Sequence, residues 1–190
     1  MSEKTLVQLD EEIAGIKERL SGQISELVEI IVNDLPGYAL KNIRRAFIED
    51  VDFAESKSDA ELAEFKARIG EFGKQLSEEI RTSLLENLED WWGKDVSLDN
   101  AGKTLNGNAK IQAKLDVINV RLSDFMTKEN LKAVDIHYTT PARFIEGKYP
   151  PGMIEKYWAQ LGILRTAEAQ RAELDLEARK ARLAQRWDSL

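Results

Sequence analysis

The 190-residue chain contains no cysteine and only one histidine, His137. The absence of cysteine excludes disulfides, thiolate catalysis and cysteine-ligated metals, and a single histidine argues against a histidine-rich metal site or a catalytic triad. The Glu-x-x-His signature of di-iron bundles is missing, because Val134 occupies the glutamate position. A phosphate-binding loop is missing too, since Ser97 stands where a glycine is required before Gly102. We therefore predict no catalytic residue, no metal and no cofactor.

Proline (4 residues), glycine (11) and aromatic residues (7%) are scarce, whereas charged residues make up 32% of the chain. This composition is typical of long helices. The net charge of −7 argues against nucleic acid or an anionic membrane as a general partner. The apolar runs, three or four residues at most, are too short to cross a bilayer, and the acidic residues 1–12 do not resemble a signal peptide. We expect a cytoplasmic protein.

Apolar residues recur every three or four positions at the start of the chain, which predicts a helix of about seven turns. The residues of this stripe are Leu6, Leu9, Ile13, Ile16, Leu20, Ile24, Leu27 and Ile31. Because Leu35 precedes Pro36, we expect the helix to end near Asn33. A second helix should then begin with Asp34 as its cap and Pro36 in its first turn, and extend to about residues 55–57.

A capping box formed by Ser58 and Glu61 predicts the start of a third, very long helix. Its stripe reaches Trp91 without interruption, and Gly93 follows as a terminator. The residues of this stripe are Leu62, Phe65, Ile69, Phe72, Leu76, Ile80, Leu84, Leu88 and Trp91. Adjacent helical residues diverge by about 100°, so we expect one of Trp91 and Trp92 in the core and its neighbour over the following linker. The alternative is that a tryptophan here is an exposed anchor for a partner.

The composition divides the chain into three regions. Residues 1–92 form an acidic region of three helices with 11 basic and 21 acidic groups, and residues 93–108, rich in Gly, Asn and Lys, form a linker. Residues 109–190 carry a helix over 109–126, an irregular proline-containing segment at 135–152, and a long C-terminal helix. The second half of that last helix has only a thin stripe of small or leucine residues (Leu174, Ala178 and Ala181), so it either packs through small residues or projects into solvent.

These elements predict an all-α protein: an elongated helical bundle with long coiled-coil-like helices and one irregular segment rich in proline and aromatic residues. Helices of about 30 residues are about 45 Å long, which exceeds what a compact globule of this size accommodates. We therefore expect the stripes to extend beyond the cover that the chain itself provides, and we predict a homo-oligomer. The residues assigned to self-association are Leu9, Ile13, Ile16, Leu20, Leu62, Phe65, Ile69, Phe72 and Leu76.

Residues 138–158 hold five of the fourteen aromatic residues, where helical periodicity stops. Tyr, Trp and Arg dominate the energetics of protein interfaces, so we predict that a protein partner docks here. The alternative is that these rings close one end of the bundle. The residues assigned to partner binding are Tyr138, Arg143, Phe144, Tyr149, Tyr157 and Trp158.

The sequence thus favours a non-enzymatic helical interaction or assembly protein that self-associates and binds a protein partner. The alternative from a different class is an amphipathic helical protein that acts on membranes after rearrangement, although the acidic flanks of the stripes disfavour it.

Overall fold

The computed structural model describes residues 4–96, 98, 109–132 and 147–189. Within these ranges the chain forms six helices and no strand, which confirms the all-α prediction. The helices are α1 (Leu6–Glu49), α2 (Val51–Glu55), α3 (Asp59–Glu86), α4 (Glu89–Trp92), α5 (Ala109–Lys128) and α6 (Met153–Asp188).

α1 is the longest helix and contacts both α3 and α6. Its 44 residues give it a length of about 66 Å at 1.5 Å per residue. α3 lies antiparallel to its C-terminal half, because Gly73 lies against Pro36 whereas Arg81, two turns later in α3, pairs with Glu29. The bundle is therefore elongated along α1.

α6 lies antiparallel to the N-terminal half of α1. Lys148, just before α6, pairs with Asp34 at 3.8 Å, and Arg171, within α6, pairs with Asp10 at 2.7 Å. α1 thus acts as a spine that carries α3 on one half and α6 on the other.

α5 packs antiparallel to α3, on the flank that α1 leaves open. Lys114 Nζ donates a hydrogen bond of 2.9 Å to the Ser83 carbonyl, and Arg68 makes a forked ion pair with Glu129 beyond the end of α5. Three helices, α1, α3 and α5, therefore surround the core of this half of the bundle.

The buried side chains form one cluster to which each of the four long helices contributes, for example Ile31, Leu76, Leu122 and Leu161. Residues from both of the helical regions predicted from composition, 1–92 and 109–190, take part in it. The apolar stripes read from the sequence therefore meet inside one chain.

The structure corrects the expected break at Pro36, because α1 runs through the proline without interruption. Proline has no backbone N–H, so the Val32 carbonyl four residues earlier loses its usual donor. Two residues of α3 offset this defect. Gly73 leaves room for the ring, since a Cβ at this position would lie 2.9 Å from Pro36 Cα, and Ser77 Oγ donates a hydrogen bond of 2.9 Å to the Val32 carbonyl.

The expectation for the tryptophan pair is also corrected, since Trp91 and Trp92 are both buried, with exposed fractions of 0% and 8%. The predicted third helix ends at Glu86, and α4 begins after the extended residue Asn87. The ring of Trp91 then packs edge to face on Tyr157 at 6.2 Å between centroids. α6 thus supplies an apolar surface for Trp91, and Trp92 belongs to the same buried cluster.

Candidate interaction surfaces

The nine residues assigned to self-association are used within the chain. Seven of them are buried, and Ile13 and Leu62 are half-buried against the same core. The expectation that the stripes exceed the chain's own cover is therefore corrected. α6 covers the stripe of α1 in its N-terminal half, and α3 covers it in its C-terminal half. Whether the chain self-associates stays a prediction, but these residues are not the exposed surface for it.

The residues assigned to partner binding fall into two groups. Tyr138, Arg143 and Phe144 lie outside the described residues, as does His137. Tyr157 and Trp158 are buried, with exposed fractions of 1% and 3%, and Tyr149 is half-buried against the core. Tyr157 and Trp158 are thus corrected from surface anchors to core residues, in agreement with the alternative that rings from this region close the bundle.

The buried ring of Tyr157 joins α6 to the α4 turn. Its hydroxyl donates a hydrogen bond to the Trp91 carbonyl, and Arg165, two turns later, donates to the Trp92 carbonyl at 2.8 Å. Burial raises the pKa of the Tyr157 phenol well above its ordinary value. On the other side of α4, a hydrogen bond from Lys114 holds the pKa of Asp90 below its usual range. The contacts of Tyr157 and Arg165 hold α6 on α4, and the Asp90–Lys114 pair holds α4 on α5.

An open groove lies between α1 and α3, and the core residues Phe65 and Ile69 are among its lining. We call it the α1–α3 groove. It consists of two adjoining depressions of about 230 and 540 Å³. Its lining residues are Pro36, Gly37, Leu40, Arg44, Phe47 and Ile48 from α1, and Leu62, Phe65, Lys66, Ile69 and Gly70 from α3. Leu40 and Ile48 are large apolar residues with exposed fractions of 47% and 50%.

The charges at this groove are all positive. Arg44 and Lys66 are exposed, no carboxylate is among the lining residues, and neither cation forms an ion pair within the part of the chain that the structure describes. By contrast, Arg81 binds Glu29 and Arg121 binds Glu79, each at 2.9 Å. The groove therefore combines an apolar floor with two cations that have no partner among the described residues.

A second apolar surface runs along the distal half of α6. We call it the α6 seam. Its residues are Ala169, Ala172, Leu176, Leu183 and Trp187, all exposed. These residues recur at helical spacing along one face of α6. This face is turned away from α1, because Leu174 and Ala178, which face α1, are each about 200° around the helix from Leu176. Trp187 has an exposed fraction of 79%. Every residue from 179 to 189 is exposed, so the end of α6 projects beyond the bundle.

Neither surface is among those predicted from the sequence. Leu176, Leu183 and Trp187 were readable as a stripe at steps of seven and four, but Leu174 and Ala178 two positions away gave a competing stripe, and that stripe faces α1. Leu40 belongs to the apolar stripe of the predicted second helix, with Ile43, Phe47 and Val51, and this position indicates burial. The structure instead leaves Leu40 exposed, and Ile48 lies beside that stripe, so periodicity does not indicate the groove.

A further depression of about 270 Å³ lies between α3 and α5, and its charged residues Arg68 and Arg121 are held by Glu129 and Glu79. Within the described ranges, no three His, Asp or Glu side chains are grouped so that they could hold a metal ion. Among the described helices, none is both long and apolar enough to cross a membrane.

No family model, curated protein or solved structure matches this chain.

Proposed function

We propose that this chain is a non-enzymatic helical interaction protein that holds an amphipathic helix of a protein partner in the α1–α3 groove. The observation that carries this proposal is the combination of exposed Leu40 and Ile48 with Arg44 and Lys66, two cations that have no ion pair within the described ranges. A cytoplasmic location belongs to the same proposal, and the cysteine-free sequence is compatible with it.

The shape of the groove favours a helix as the bound element. It extends from Pro36 to Ile48 along α1, about 18 Å or three helical turns. Gly37 and Gly70 line the larger of its two depressions, and a Cβ at either position would meet no atom within 4 Å. An apolar helix face lying between two helices is a recurring mode of peptide recognition, with anchors at intervals of three and four residues.

The charge of the groove favours acidic flanks on that helix. A partner whose apolar face is bordered by Asp or Glu would pair with Arg44 and Lys66, and a partner with basic borders would be repelled. The net charge of the chain is −7, so this local positive patch would also steer an acidic helix away from the rest of the surface.

The aromatic segment remains a second predicted contact. Of its residues, Tyr138, Arg143 and Phe144 are still proposed to touch a protein partner, whereas Tyr157 and Trp158 belong to the core.

The test uses two fluorescent designed peptides with the same leucine face, one flanked by Glu and the other by Lys, titrated into the full chain. We expect the Glu-flanked helix to bind at least ten times more tightly, and Leu40→Glu to abolish its binding. Val120→Glu on α5 is the matched control, because Val120 is apolar, exposed to a similar degree at 58% and remote from the groove. Equal binding of both peptides, binding of neither, or equal loss in the two variants would contradict the proposal.

A further inference from the structure

We propose that the α6 seam is the contact between two copies of this chain, in which two α6 helices pair antiparallel. The seam is separate from the α1–α3 groove, so this inference goes beyond the proposed function. Large apolar residues exposed in a row on a projecting helix mark an interaction surface, and Trp187 is the most exposed of them at 79%.

The sizes of the seam residues favour the antiparallel orientation. The proximal part of the seam holds the small residues Ala169 and Ala172, and the distal part holds the large residues Leu183 and Trp187. When two α6 helices cross near residue 178 in opposite directions, Trp187 of one copy lies over Ala169 of the other and Leu183 lies over Ala172. Large side chains then fill the spaces beside small ones, which is how packed helix interfaces interdigitate. A parallel pair would place tryptophan against tryptophan.

The charges on α6 favour the same orientation. Residues 168–177 contain four acidic groups and one basic group, and residues 178–189 contain four basic groups and one acidic group, so these stretches carry net charges of −3 and +3. An antiparallel pair sets the acidic stretch of each copy against the basic stretch of the other, whereas a parallel pair sets like against like. The dimer therefore contains two pairings of an acidic stretch with a basic stretch, one at each end of the seam.

The shape of the chain leaves room for this pairing. α1 lies on the opposite face of α6, and the contacts that bind α6 to α4 come from Tyr157 and Arg165, on the proximal side of the seam. In the antiparallel pair the two bodies therefore lie at opposite ends of the paired α6 helices. An anionic membrane is a poorer fit for the seam, because Glu173 and Glu177 lie beside it on the proximal half.

The first measurement is the mass of the full chain by sedimentation equilibrium at tens of micromolar. We expect twice 21.6 kDa for the natural sequence and for the control Val120→Glu, and a dissociation constant at least ten times larger for Leu183→Glu and for Trp187→Ala. Both seam residues are exposed, so the variants should retain their helical circular dichroism. A natural chain of 21.6 kDa, or seam variants that dimerise like the control, would overturn the proposal.

The second measurement tests the orientation of the two α6 helices by cysteine cross-linking. Because the natural chain contains no cysteine, the introduced thiols are the only ones that can react. Single-cysteine variants Ala172→Cys and Leu183→Cys are mixed and joined with a short thiol cross-linker. We expect the mixed product between the two variants to exceed both same-variant products. An excess of same-variant products would indicate parallel pairing and overturn the proposal. The proposal would also be overturned if the natural chain binds vesicles of phosphatidylserine and phosphatidylcholine and Leu183→Glu abolishes that binding. Each result is independent of peptide binding at the α1–α3 groove, so either proposal can fail alone.

Discussion

Replacing Ser77 with alanine tests how the bundle tolerates a proline inside its longest helix. Ser77 Oγ lies 2.9 Å from the Val32 carbonyl oxygen, the acceptor that Pro36 leaves without a backbone donor. The serine is buried, with an exposed fraction of 8%, so water cannot readily take its place. We expect Ser77→Ala to leave a buried carbonyl without a partner.

The size of the effect follows from that single acceptor. A buried acceptor left unsatisfied costs about 1–3 kcal/mol, so Ser77→Ala should lower the free energy of unfolding by about 2 kcal/mol. In a Pro36→Ala background, the restored N–H of residue 36 can donate to Val32, and the same serine replacement should cost only about 0.5 kcal/mol. The serine hydroxyl would then serve mainly its own helix, through the Gly73 carbonyl at 3.0 Å.

Urea unfolding of the four proteins, followed by circular dichroism at 222 nm, gives the coupling between the two sites. We expect a difference of about 1.5 kcal/mol between the two costs of Ser77→Ala, and a fall in Tm of about 4–8 °C for the single variant in a chain of this length. Equal costs in both backgrounds would refute the idea that Ser77 compensates for Pro36.

Two further predictions concern aromatic residues. Tyr157→Phe removes the donor to the buried Trp91 carbonyl, and we expect a loss of about 1–2 kcal/mol in urea unfolding at pH 7. The pKa of Tyr157 is raised in the folded state. The stability contributed by the neutral phenol is therefore complete below about pH 10, the pKa in the unfolded chain, and is lost as the pH rises above that value. The fall in Tm between pH 9 and 11 should accordingly be smaller for Tyr157→Phe than for the natural chain. Trp91→Ala should lower the free energy of unfolding by about 3–5 kcal/mol. Trp187→Ala, at a position with 79% exposure, should change the free energy of unfolding of the dilute chain, measured by thermal melting, by less than about 0.5 kcal/mol. Equal losses in the two variants would contradict the assigned burial.

Periodicity predicted which segments are helical, because that property does not depend on which surface covers the apolar face of each helix. The stripes of α1 and α3 and the capping box of Ser58 and Glu61 are all present, the last with Ser58 Oγ accepting from the Glu61 N–H at 3.3 Å. α5 begins at Ala109 as expected, and α6 begins at Met153, two residues after Pro151. A period reports that one face of a helix is buried, and this holds whichever surface covers it.

The helix end expected at Pro36 and the self-association contacts expected along the stripes were wrong for the same reason. The rule that a helix ends before proline is local, and it was overridden at Pro36 by Gly73 and Ser77, which lie about 40 residues later in the sequence. The assignment of Ile16 and Phe72 to a contact between copies failed similarly, because a stripe does not state whether its cover comes from the same chain. Both questions depend on which helices become neighbours, and no single segment contains that information.

The candidate site shows the limit of aromatic density as a signal for binding. Trp91 and Tyr157 form an edge-to-face pair at 6.2 Å and hold α6 to the body, so these two rings are structural. The proposed surfaces instead use ordinary leucine and isoleucine residues that the packing leaves uncovered, such as Leu40 and Leu176. In a bundle whose long helices already bury one face each, the residues available for a partner are those outside the dominant stripe. We therefore expect a partner to be recognised through these secondary apolar positions, together with the charges that flank them.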